Sequence, residues 1–86
     1  MTDQGPPLDL FVDLNTEDET GLPWSLLTEA AEPDRVVPGA HIVVGSGRVR
    51  AVALVVDVTS DGVVHVKPLS GPVSAYAHLL NSRGAA

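Results

Sequence analysis

The 86-residue sequence has no cysteine. Disulfide staples and thiolate metal ligands are thereby excluded, and any fold must hold by packing. Aromatic side chains are scarce: one Phe, one Trp and one Tyr. A platform that stacks nucleic-acid bases needs several rings, and none lies between residues 41 and 67. No apolar run approaches the roughly 20 residues of a membrane-spanning helix, and no basic-then-apolar signal opens the chain. A cytoplasmic protein with no membrane partner is expected. Base is missing from one end altogether. Residues 1–34 carry nine acids and no Lys or Arg, whereas residues 35–86 carry five bases and two acids. The net charge of −6 therefore combines −9 with +3. That split bears on partners more than the total does.

What is present centres on residues 41–67, HIVVGSGRVRAVALVVDVTSDGVVHVK. Arg48 to Val58 is rich in Val and free of Gly and Pro. Branched side chains favour a strand there. Gly45-Ser46-Gly47 precedes it and Thr59-Ser60-Asp61-Gly62 follows, both with turn chemistry. His41–Val44 and Val63–Lys67 complete a three-stranded antiparallel meander. Alternation places Arg48, Arg50, Val52, Leu54, Val56 and Val58 on one face of the middle strand. Val49, Ala51, Ala53, Val55 and Asp57 take the other. With an even loop, His65 and Lys67 join the Arg48/Arg50 face, and Val64 and Val66 join Val55. An odd loop reverses this. Both faces are apolar, so the sheet must be covered twice or curl into a small barrel.

One domain is the most that 86 residues hold. Residues 1–20 are expected as an acidic, partly disordered arm, and residues 21–86 as a β-rich domain. Within the arm, LDLFVDL at 8–14 alternates apolar and acidic residues, as a short edge strand does. A linear motif that orders on a partner is the competing reading. NTEDETG at 15–21 reads as a solvated loop, for it lacks the spacing of a calcium loop. Leu22–Glu32 is predicted helical, with Pro23 in its first turn and Pro33 ending it. Its Trp24 reads as a core anchor, or else as an exposed hot spot. Pro38-Gly39 predicts a turn into the meander. Val73–Asn81 predicts a last short helix, with Val73, Tyr76, Ala77 and Leu80 on one face and Gly84 at its end.

No phosphate loop, dinucleotide fingerprint, zinc spacing or nucleophile elbow is present. His41, His65 and His78 lie on separate elements, and a metal site would need them to converge. No enzyme, metal or cofactor is expected. Arg48, Arg50, His65 and Lys67 make a small basic cluster. It reads as a solvated sheet margin or as a phosphate contact.

The run of Pro38-Gly39, His41–Val44, Arg48–Val58, Val63–Lys67 and Leu69-Ser70-Gly71 resembles SH3-like small barrels, including the ribosomal and transcription-factor kind. The resemblance implies peptide or nucleic-acid binding. It assigns no binding residue, because Phe11, Trp24 and Tyr76 all lie outside the meander. The composition, heavy in Val, Ala, Gly and Pro with one Lys and one Ile, resembles that of proteins from GC-rich bacterial genomes. The expected fold is mainly β with short helices (α+β), a small, partly open SH3-like barrel. The expected role is a non-enzymatic interaction module: an adaptor, antitoxin-like protein or regulatory subunit. Leu10, Phe11, Asp13, Glu17, Asp18 and Trp24 would engage a basic partner protein. The alternative is a nucleic-acid-binding barrel using Arg48, Arg50, His65 and Lys67. A structural subunit that lends an edge strand to an assembly is the third.

Overall fold

The computed structural model describes residues 8–46 and 49–83. The first seven residues of the expected arm, Gly47 of the expected turn, Arg48 of the expected strand, and Gly84 lie outside the described residues. The Val-rich stretch forms the longest strand, β4 (Val49–Val58). It lies between β3 (His41–Ser46) and β5 (Val63–Pro68), antiparallel to both. Two short strands, β1 (Leu10–Phe11) and β2 (Trp24–Leu26), flank the meander. The order is β1-β3-β4-β5-β2. β1 runs parallel to β3, and β2 runs antiparallel to β5. An isolated bridge from Leu10 to Ala30 then links the two ends of the sheet. The molecule is thus mainly β, a nearly closed mixed sheet of five strands. Among the described residues no helix is long and apolar enough to cross a membrane.

Alternation fills the interior with one residue from each strand step. Leu10, Val12, Ile42, Val44, Ala53, Val55, Val64 and Val66 form the core with Val36. The opposite face of β3 and β4 buries Val43 and Val52 as a cross-strand pair. The C-terminal segment packs against these two strands. It is a 3₁₀ turn (Val73–Tyr76) running into α1 (Ala77–Arg83). Val73, Tyr76 and Leu80 of its expected apolar face are half-buried, and Ala77 is exposed. So the meander is covered on both faces and also curls.

Two positions carry backbone that glycine alone tolerates well. Gly39 takes a positive φ of 90° in the expected Pro38-Gly39 turn, closed by Ala40 N–H to Val37 O at 3.0 Å. Gly45 belongs to β3 rather than to a turn, and faces Arg50. A Cβ there would meet the Val49 carbonyl oxygen at 1.9 Å, so a side chain is excluded.

Two expectations fail in this frame. Leu22–Glu32 is not a helix. It forms β2, then 3₁₀ turns at Leu27–Glu29 and Pro33–Arg35. So short a helix is marginal alone, whereas β5 offers an unpaired ladder, which Pro23, Ser25 and Leu27 take up. Nor is Trp24 a core anchor. Ser25 faces inward and is buried, and Trp24 and Leu26 face out.

A third correction concerns Asp57. Beside the Thr59–Gly62 turn, Val58 pairs with Val64 and Asp57 with His65. Beyond it Val55 pairs with Val66 and Leu54 with Lys67. Val56 is the extra residue of a β-bulge between them. Plain alternation puts Asp57 on the Val55 face. The bulge turns it to the face of His65 instead.

Candidate functional site

The place where the sheet fails to close is the candidate site. β1 and the segment after β2 meet at the Leu10–Ala30 bridge, and Ala31 N–H donates to Asp9 O at 3.0 Å. From there the two strand edges part. The gap between them is an open groove of about 310 Å³. Phe11, Asp13 and Thr16 line it from one side, and Trp24, Ser25, Leu26 and Glu29 from the other. Phe11 is 46 % exposed, Trp24 38 % and Leu26 44 %. Three large apolar side chains therefore stand at the surface around one groove. The charged residues in its lining are both acidic, Asp13 and Glu29.

The loop that joins the two sides is built from local turns. Asp13 accepts from Asn15 N–H through Oδ1 at 3.0 Å, and its carbonyl accepts from Thr16 N–H at 3.0 Å. Asp18 accepts Thr20 N–H at 2.8 Å and also the Thr20 hydroxyl. The other oxygen of Asp18 reaches His65 Nε2 at 2.6 Å. On the opposite side of the ring, Nδ1 lies 2.7 Å from Asp57 Oδ1. His65 is buried, and it sits between a loop acid and a strand acid.

These contacts set the charges. Bonds from Asp18 and Asp57 push the His65 pKa above its ordinary 6.5, against the opposing effect of burial. The Thr20 hydroxyl, His65 and Thr20 N–H hold Asp18 down to about 2, from an ordinary 3.8. Once protonated, an imidazole between two carboxylates is a charge-assisted latch. The acids approach opposite ring nitrogens, so the three groups do not converge on one point. Among the described residues no cluster of His, Asp and Glu could hold a metal ion.

The proposed partner-binding residues part company here. Phe11, Asp13 and Trp24 come together in the groove. Leu10 does not join them: it is fully buried, because alternation along β1 sends it into the core while Phe11 points out. Asp18 is turned to His65, and Glu17 is exposed in the loop. Of the basic cluster, Arg48 lies outside the described residues. Both ring nitrogens of His65 are taken by carboxylates, so it offers no free donor to a phosphate. Arg50 bonds the Val49 carbonyl at 3.1 Å. Lys67 pairs across from Leu54, four residues along β4 from Arg50, or roughly 13 Å at strand rise. Arg50 and Lys67 thus stand apart along the sheet.

Leu26 and Glu29 belong to the groove, and sequence reasoning left them in a helix. The available signal was the period-two pattern of Trp24-Ser25-Leu26. No protein-family model, curated protein or solved structure matches the chain.

Proposed function

We propose that the protein is a non-enzymatic interaction module whose seam between β1 and β2 docks a basic partner protein. One observation carries this reading. Phe11, Trp24 and Leu26 are exposed around a single groove whose charged lining is acidic throughout. Scattered apolar side chains are ordinary on a surface, but clustered ones rimmed by charge mark binding sites. Trp is moreover enriched among residues that dominate binding energy. The surrounding field agrees, since residues 1–34 carry no base. Such a field steers a basic partner and raises its rate of encounter. The curled sheet is compatible with an SH3-like small barrel, a class that binds peptides or nucleic acids.

The test is affinity purification of the tagged chain from its own host, with and without nuclease. Trp24→Ala and Glu29→Lys are purified in parallel. The expected result is a stoichiometric protein that survives nuclease and is lost with both variants. Co-purification abolished by nuclease and indifferent to both variants would replace this reading with nucleic-acid binding.

A further inference from the structure

The seam has a main-chain edge as well as side chains. Val66 N–H donates to Pro23 O at 3.1 Å, and Leu27 N–H donates to Gly62 O at 2.8 Å. Ser25 pairs with Val64 midway between them. In an antiparallel ladder, alternate residues turn both main-chain groups toward the partner strand. Pro23, Ser25 and Leu27 are those residues in β2. The N–H and C=O groups of Trp24 and Leu26 therefore point the other way, into the seam. Leu26 is the N-cap of the 3₁₀ turn at Leu27–Glu29, so its carbonyl is taken by that turn. Among the described residues no main-chain bond reaches the Trp24 N–H and C=O or the Leu26 N–H from that side. β2 is thus a sheet edge, lying beside an apolar groove with an acidic rim.

We infer that the partner enters as an extended strand, pairing with Trp24–Leu26 and completing the barrel between β2 and β1. This rests on the seam being the docking surface, and specifies how it is used. Strand addition takes affinity from main-chain bonds and specificity from alternate side chains. In an added strand, outward residues would lie beside Trp24 and Leu26, within reach of Asp13 and Glu29. Aliphatic side chains with a neighbouring Lys or Arg suit those places. Inward residues would lie beside Ser25, where small side chains fit. A second copy of the chain is a poor occupant, since it would set Asp13 and Glu29 near their own equivalents. The segments MTDQGPP and GAA bring no Lys or Arg. A basic, alternating segment of another protein is the occupant that fits.

The experiment selects a random-peptide phage library on the full chain and resynthesises the enriched peptides. Each is then methylated at one backbone nitrogen at a time. Affinity is measured against the wild type, Trp24→Ala and Glu29→Lys. Both substitutions lie on exposed side chains, and Glu29→Lys serves should Trp24→Ala perturb the fold. Strand addition predicts losses of about tenfold at alternate nitrogens, with the intervening ones tolerant. Peptides that need Trp24 or Glu29 but tolerate methylation throughout would overturn strand addition and leave the docking surface standing. A library yielding no peptide sensitive to either substitution would overturn both. A reversible dimer abolished by Trp24→Ala would overturn the choice of a foreign strand in favour of a second copy.

Discussion

The meander and the acidic segment before it are held in opposite ways. β3, β4 and β5 pair with neighbours in the chain, through short turns and ladders of five or six residue pairs. Residues 8–36 contribute strands of two and three residues, each paired with a distant element. Leu10 meets Val44, and Trp24 meets His65. Long-range side-chain bonds reinforce them: Asp9 accepts the Val43 N–H at 2.9 Å, and Asp18 holds His65. The meander is therefore the rigid part. The segment that carries the groove is fastened to it at a few points. A binding edge drawn from the weakly held part of a fold is a common arrangement, since such edges must accept a new partner.

The largest effect should come from breaking the meander itself. In Gly45→Ala the new Cβ meets backbone, not a yielding side chain. We expect loss of the folded state, seen as a missing cooperative transition in urea. Next comes the point where the segment joins the core. Leu10→Ala should cost about 2–5 kcal/mol, a large share of the stability of a domain this small. Phe11→Ala, one residue on and outward-facing, should cost well under that and leave the transition intact. Equal losses at the two positions would show that β1 is not seated as described.

The smallest effect sharpens the comparison by pH. The His65 pKa is raised on folding, so its stabilisation is complete below 6.5 and is lost as pH rises through the higher folded value. The Asp18 pKa is lowered, so its contribution is present above 3.8 and is lost as pH falls toward about 2. The latch should be strongest between these limits. The difference in melting temperature between wild type and His65→Gln should therefore shrink above pH 6.5. A difference that stayed flat as the pH was raised well above 6.5 would sink the latch.

The meander was legible because its information is local. Val-rich runs, Asp61-Gly62 and Pro38-Gly39 act on their immediate neighbours, and alternation along 8–14 set Leu10 and Val12 on one face and Phe11 on the other, although Leu10 was counted with the partner-facing residues and is buried. The groove was half legible. Phe11, Asp13 and Trp24 were marked as partner-facing by type and charge, although Trp24 was weighted toward the core. What settles Trp24 is a three-residue strand defined by its pairing with β5, 37 to 41 residues away in the chain. Propensity favours a helix there, and tertiary pairing overrides it. The latch was illegible. With an even loop alternation places Asp57 and His65 on opposite faces and with an odd loop on one, and nothing in the local residues around Val56 announces a bulge.

That bulge has a geometric consequence. β4 pairs with β3 over residues 49–54 and with β5 over 53–58, so one strand serves two neighbours displaced along it. An extra residue sharpens the twist of the strand that carries it and bends it. Val56 thus acts as a corner. It swings β5, and β2 with it, around toward β1. A bend in β4, a strand that contributes no residue to the groove lining, thus bears on how closely the two ends of the sheet approach.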